Sequence, residues 1–414
     1  MKWRQILIAV ISSSFLQAGC AGCGGGEASV DNVGGDDATD GSDVDDGEDA
    51  NPADTTDPDI TSLAIEPSSV ELTSTNGSRP EQDFDVVANY DDGSTRAYSG
   101  AVEFSIDNNN IGRVDQGGGD FKASGIAGGS ATITATPVGA PHEPPTAQVR
   151  VLVEHTIEGP NMPANYQGAF ADATMDSSVA PQVVYPLSGA VMPQNVYPAD
   201  IQWQRGEEGD LYKITLTKPS ATVTAYVAHT GSGFGNHWVV AEDAWRAIAQ
   251  TEPGESASIR VVRWDSSAGQ AAYDQEDVEI SFADGSLTGS VYYWDISDVR
   301  IKRIDDGSGQ AVSFMPDPPN SAGGGDNCVG CHSVSNSGRY MVGRLGGGNN
   351  IGTVFDLTKD LTQDPVPKEF PLEDDGTRWW FSTWNPDDDR LIVTQGSGQD
   401  NQKLSLMDPF SGQI

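Results

Sequence analysis

Short runs of alternating apolar and polar residues recur from about residue 60 to the end of the chain, separated by turn-forming residues. Ile60-Thr-Ser-Leu-Ala-Ile65, Phe84-Asp-Val-Val-Ala-Asn-Tyr90, Val102-Glu-Phe-Ser-Ile106, Ala131-Thr-Ile-Thr-Ala-Thr136 and Val149-Arg-Val-Leu-Val153 have the period of two that half-buried strands require. Asp91-Asp92-Gly93-Ser94 predicts a hairpin turn, in which Gly93 takes a positive φ. About seven strands at this density predict an immunoglobulin-like sandwich over residues 60–154.

A polar connector, 155–180, carries Pro160, Pro163 and Gly168. Beyond it a second alternating set begins, including Asp200-Ile-Gln-Trp203, Leu211-Tyr-Lys-Ile-Thr-Leu216, Thr222-Val-Thr-Ala-Tyr-Val227, Ser258-Ile-Arg-Val-Val-Arg-Trp264 and Ser290-Val-Tyr-Tyr-Trp294. These predict a second sandwich over 181–305. One segment breaks the strand period. Glu242-Asp-Ala-Trp-Arg-Ala-Ile-Ala-Gln250 places Trp245 and Ile248 on one helical face and acids in the first turn, so a short capping helix is expected there. From 310 to 414 the strands continue. Two units about 50 residues apart look alike, Ser333-Val-Ser-Asn-Ser-Gly-Arg-Tyr-Met-Val342 and Ser382-Thr-Trp-Asn-Pro-Asp-Asp-Asp-Arg-Leu-Ile-Val393, a spacing that suits propeller blades.

Three of these regions resemble known families. Leu63-Ala-Ile-Glu-Pro67, Tyr90-Asp-Asp-Gly-Ser-Thr95 and Gly125-Ile-Ala-Gly-Gly-Ser-Ala-Thr-Ile133 resemble the bacterial immunoglobulin-like group 2 domain, with Phe104 where that family usually has Trp. The resemblance implies a spacer or adhesion module of surface proteins. The layout of 181–305 resembles a fibronectin type III domain, and the repeated units in 310–414 resemble the turns of TolB-like β-propellers. A closed propeller takes four or more blades and 310–414 supply about two, so either a piece of a longer protein or an open sheet is expected. The fold class is therefore all-β: two immunoglobulin-like or fibronectin-like sandwiches followed by an incomplete propeller-like module.

The N-terminus points to export. Met1-Lys2-Trp3-Arg4 is basic, and the apolar run from Ile6 to Leu16 is too short to span a bilayer. The run ends in Leu16-Gln17-Ala18-Gly19-Cys20, which resembles a bacterial lipoprotein signal, although Gln17 stands where that family has an aliphatic residue. The resemblance implies a signal peptide over 1–19 and lipidation of Cys20, hence a lipid anchor in a membrane; ordinary cleavage near Ala21 is the alternative. Residues 20–59 are almost without large apolar side chains and are expected to form a disordered acidic tether. Lys+Arg total 23 and Asp+Glu total 61, a net charge of −38 that repels phosphate backbones and argues against a nucleic-acid partner.

Only four cysteines occur, so no internal disulfide framework is available. Two of them lie in Cys328-Val329-Gly330-Cys331-His332, the C-x-x-C-H attachment sequence of c-type haem. There both thiols form thioethers with the porphyrin and the histidine becomes an iron ligand. Three readings stand: covalent haem at Cys328, Cys331 and His332, with Met315 or Met341 as the nearest distal candidates; a disulfide or free dithiol; and zinc, for which no fourth ligand is evident. Trp379, Trp380 and Trp384 suit either blade cores or a surface for a carbohydrate or protein ligand. The expected function is binding, adhesion or display by a lipoprotein at the cell surface, outer membrane or periplasm. No catalytic site is expected within these residues, and the rival function is haem electron transfer.

Overall fold

The computed structural model describes residues 58–196, 199–295, 298, 300–315, 329–345, 352–363, 379–395 and 403–414. The signal sequence, Cys20, the acidic stretch up to Asp57, and Cys328 lie outside them.

The first alternating runs form β1 (Ile60–Glu66), β2 (Ser69–Thr75), β3 (Glu81–Asp83), β4 (Asp85–Tyr90), β5 (Thr95–Ala97), β6 (Val102–Ile106), β7 (Gly112–Val114), β8 (Asp120–Ala123), β9 (Gly129–Pro137) and β10 (Thr146–Glu158). Two small sheets, ordered β1-β4-β5 and β3-β8-β7, accompany a larger one in which β6, β9, β10 and β2 are successive neighbours. The alternation places Phe84, Ile111, Phe121, Ile133, Val149 and Val151 in the core, each at most 1% exposed. Burying each such side chain contributes about 1.5–3 kcal/mol relative to leaving it in water. The predicted hairpin turn joins β4 to β5: Gly93 has φ +81°, and its amide donates to the Tyr90 carbonyl at 3.0 Å.

Strand β10 does not stop where the first alternating pattern ends. It runs on through His155 to Glu158, and Val153–Glu158 pair in parallel with Ala221–Tyr226. The second set of strands is β11 (Thr174–Met175), β12 (Gln182–Tyr185), β13 (Ala190–Met192), β14 (Asp200–Gln204), β15 (Leu211–Lys218), β16 (Ala221–Ala228), β17 (His237–Val239), β18 (Ala257–Asp265), β19 (Gln270–Tyr273) and β20 (Val278–Phe282). The path β11-β19-β18-β15-β16-β10-β9-β6 belongs to one sheet of eleven strands, and β12-β14-β17 form a separate sheet. The expected helix is α1 (Glu242–Gln250). Its Trp245 and Ile248 are buried, and Trp245 Nε1 donates to the Val196 carbonyl at 3.1 Å.

The remaining strands form three antiparallel three-stranded sheets in chain order. They are β21 (Ser290–Asp295), β22 (Arg300–Asp305) and β23 (Ala311–Ser313); β24 (Val329–Val334), β25 (Tyr340–Leu345) and β26 (Gly352–Asp356); and β27 (Ser382–Trp384), β28 (Leu391–Gln395) and β29 (Lys403–Met407). The middle sheet is covered on both faces. Met341 and Phe355 pack with Ile301, Phe314 and Met315 from the sheet before it. Their chain neighbours Val342 and Val354 pack with Trp384, Leu391, Val393 and Met407 from the sheet after it. Successive residues of a strand point to opposite faces, so this interleaving follows from the run of apolar residues in 340–345 and 352–356. The outermost face of the third sheet carries Ile392, Leu404 and Leu406, all exposed.

Candidate functional site

Val329 to His332 of the C-x-x-C-H sequence open β24. That strand pairs with β25 as Gly330↔Arg344 and resumes as Ser333↔Val342, so Cys331 and His332 together oppose Gly343. Two residues facing one make a β-bulge. Cys331 takes φ +48°, with its free thiol exposed. His332 turns inward and is half-buried, with Nε2 3.5 Å from the Tyr292 carbonyl oxygen on β21. Burial lowers the imidazole pKa and outweighs the carbonyl contact, which raises it, so the neutral ring is favoured.

The two side chains thus leave the bulge in different directions. A haem iron would have to meet the imidazole nitrogen that here faces a backbone oxygen of the neighbouring sheet. Met315 and Met341, the distal candidates, are 1% and 0% exposed and belong to the core between the first and middle sheets. Among the described residues, no group of three His, Cys, Asp or Glu is placed to hold a metal ion. The tryptophans of the last sheet serve as packing: Trp379 and Trp384 are buried, Trp384 Nε1 donates to the Ser333 carbonyl at 3.1 Å, and the Arg344 guanidinium lies 4.8 Å from the Trp380 ring centre.

A second site was not foreseen from the sequence. Between β12 and the β18–β20 region lies an open groove of about 290 Å³. Strand β18 pairs with β19 from Val262 onward and with β20 up to Ile259, so Arg260 and Val261 face a gap that residues 274–277 loop around. Val184, Leu187 and Val278 contribute apolar atoms to a lining that is on balance more polar than apolar, and Asp274 and Glu276 stand on its rim. Arg260 does not offer a free cation: Nε and Nη2 reach the Asp277 carboxylate at 2.6 and 2.9 Å, and Ser258 Oγ donates to the same carboxylate at 2.8 Å. The hydrogen bond to Asp277 raises the guanidinium pKa, opposed by burial. With Arg260 and Asp277 paired, the rim acids set the local charge, and Leu187, 69% exposed, gives the groove an apolar lip. The sequence alone gives no sign of the groove, because its other wall, residues 181–188, lies about 90 residues earlier in the chain.

No protein-family profile matches the chain, and no curated protein matches its sequence. Solved structures give local likenesses. Domains 5–6 of the S-layer protein SbsC align over 55% of this chain and 99% of theirs, at 14% identity and a TM-score of 0.18. TolB from Acinetobacter baumannii aligns over 50% of this chain and 52% of its own, at 12% identity and 0.22. The fibronectin(III)-like modules of Clostridium thermocellum CbhA align over 53% of this chain and 93% of theirs, at 14% identity and 0.16. These likenesses concern the local arrangement of β-strands and carry no functional argument.

Proposed function

We propose that the chain is an exported, lipid-anchored protein that holds a binding surface away from a membrane. The observation that carries this reading is the open groove on the second sandwich, with a mixed polar and apolar lining and Asp274 and Glu276 on its rim, set beyond a first sandwich made of packed core. Its volume, about 290 Å³, is at the small end for ligand sites, and its openness to solvent suits a segment of a partner better than an enclosed small molecule. A mixed lining and two rim carboxylates favour a segment that is basic with some apolar side chains. The anchor follows from the Ala18-Gly19-Cys20 ending of the export signal. Among the described residues no helix is long and apolar enough to cross a membrane.

The test has two arms. Cys20→Ser should move the protein from the membrane to the soluble fraction, and an N-terminus at Ala21 or later without acyl chains would overturn the anchor. For the groove, a lysine- and leucine-containing peptide titrated into the protein should bind in calorimetry, and Leu187→Asp should abolish the heat. Binding unchanged by Leu187→Asp would place the surface elsewhere.

A second reading, covalent haem at Cys328, Cys331 and His332, is favoured by one observation, the exposed Cys331 thiol beside a histidine in a complete attachment sequence. It requires His332 to turn out of its contact with Tyr292.

A further inference from the structure

We propose that the two sandwiches, residues 58–283, bear tension as a single mechanical unit, welded through β10, and yield together when the chain is pulled from its ends. This goes beyond the binding role and does not depend on what the groove takes.

Strand β10 is shared. Its first residues pair with β9 from Thr146 to Val151 and in parallel with β2 from Gln148 to Glu154. Its last residues pair in parallel with β16, from Val153↔Ala221 to Glu158↔Tyr226. Tandem modules joined by a linker have separate cores. Here Val149, Val151 and Val153 belong to the same buried cluster as Ile214, Leu216 and Val223.

Around the crossing point, backbone and side chains of both sandwiches interlock. The Val153 amide donates to the Ser220 carbonyl at 3.0 Å, and Arg150 Nη2 donates to the Pro219 carbonyl at 3.1 Å. The Gly128 amide donates to Thr251 Oγ1 at 2.8 Å, a buried bond between the sandwiches. Lys218 Nζ donates to the Thr251 and Glu252 carbonyls at 2.8 and 3.2 Å, fixing the segment that presents that hydroxyl. The approach is too close for a side chain at Gly128, where a Cβ would stand 2.1 Å from the Ser220 oxygen and 2.8 Å from the Val151 oxygen. Glycine at this position lets the two backbones touch.

The direction of pairing gives this weld a mechanical consequence. Antiparallel hairpins loaded at their open end unzip rung by rung. Parallel strands pulled at opposite ends must slide, so their evenly spaced rungs share the load. Tension from the N-terminal side enters at β1 and β2, and β2 lies parallel to β10, whose far end is held by β16. Pulling the start of β2 against the end of β10 therefore shears that interface, and the interlocked crossing passes the load to the second sandwich.

The full chain held at its two ends in an optical trap tests this. Residues 58–283 should release in one event, on the order of 80 nm of extended chain at about 3.5 Å per residue. Gly128→Ala, and separately Thr251→Val, should split it into two smaller events of about 35 and 45 nm. Thr251→Val keeps side-chain volume and serves if Gly128→Ala prevents folding. Two separate events in the unaltered chain overturn the proposal. So does a folded variant that still yields in one event at unaltered force.

Discussion

The Asp388 carboxylate accepts the Ser337 amide at 2.8 Å and the Asn336 amide at 2.6 Å, tying together the turns of the two look-alike units in the C-terminal region. Asn336 Nδ2 adds a bond to the Pro386 carbonyl at 3.2 Å. The sequence repeat thus corresponds to two sheets that stack and are stitched at equivalent corners.

Asp388→Ala should lower the stability of the C-terminal sheets by about 1–2 kcal/mol, since two amides lose an ionised acceptor that is only half-buried. Burial pushes the Asp388 carboxyl up, but hydrogen bonds from Ser337 and Asn336 outweigh it and the net pKa falls below 3.8. A carboxyl whose folded pKa is depressed stabilises the fold above its unfolded value and loses that contribution as pH falls through the folded value. The acid-side decline in the urea midpoint of the wild type should therefore be shallower in Asp388→Ala, and identical slopes would show that the tie contributes nothing.

Much of this architecture was legible because alternation over five or more residues is a strong signal. β1, β4, β6, β9, β15, β16 and β18 include such runs, and α1 was marked by Trp245 and Ile248 at helical spacing with acids ahead of them. Strands of three or four residues such as β3, β5, β7 and β8 were not marked, because so short a stretch shows no period. His155 shows the other kind of miss. It stands in what reads as a polar connector, yet it is 4% exposed, because the connector's first residues extend β10 against β16. Only pairing with a strand about 65 residues later reveals that. The groove is hidden for the same reason. Cys331 was singled out by its motif, but the bulge that separates it from His332 depends on pairing with β25.

His155 makes the weld sensitive to acid. Its Nε2 is buried without a hydrogen-bond partner, and burial lowers its pKa below 6.5, against a smaller opposing pull from Asp243 on α1. Between that lowered value and 6.5 the unfolded chain holds a proton that the folded one does not, so stability is complete above 6.5 and declines as pH falls. Urea midpoints should drop between pH 7 and pH 5, and His155→Val should flatten that drop while keeping a strand-forming residue in β10. An unaltered slope would show that the imidazole is solvated.

Lys218 acts at the opposite end of the scale. It is 4% exposed, with its ammonium 4.6 Å from the Phe282 ring centre, and burial lowers its pKa to about 8, opposed by Glu252 and Glu255. From about pH 8 to 10.5 the unfolded lysine keeps a proton that the folded one has lost, so stability should rise with pH in that window. The full gain is on the order of 3 kcal/mol. Lys218→Met keeps an unbranched apolar side chain at this buried position and should remove the alkaline rise; a rise of unchanged size in this variant would assign it to other groups.

The bulge at Cys331 and His332 predicts how the attachment sequence behaves under the display reading. Protein exported from a host with cytochrome c maturation should be colourless, with the mass of the polypeptide and its acyl chains alone. Cys331→Ser should leave the melting temperature within about a degree, because the thiol is exposed and surface substitutions are near neutral. His332→Ala should cost more, about 1 kcal/mol, because the ring is half-buried between two sheets. A Soret band together with a mass increase that survives acid and organic extraction would reverse the assignment, because thioether-bound haem does not extract. In that event Cys331→Ser should weaken attachment, and His332 would have to exchange the Tyr292 carbonyl for iron, which a changed visible spectrum in His332→Ala would register.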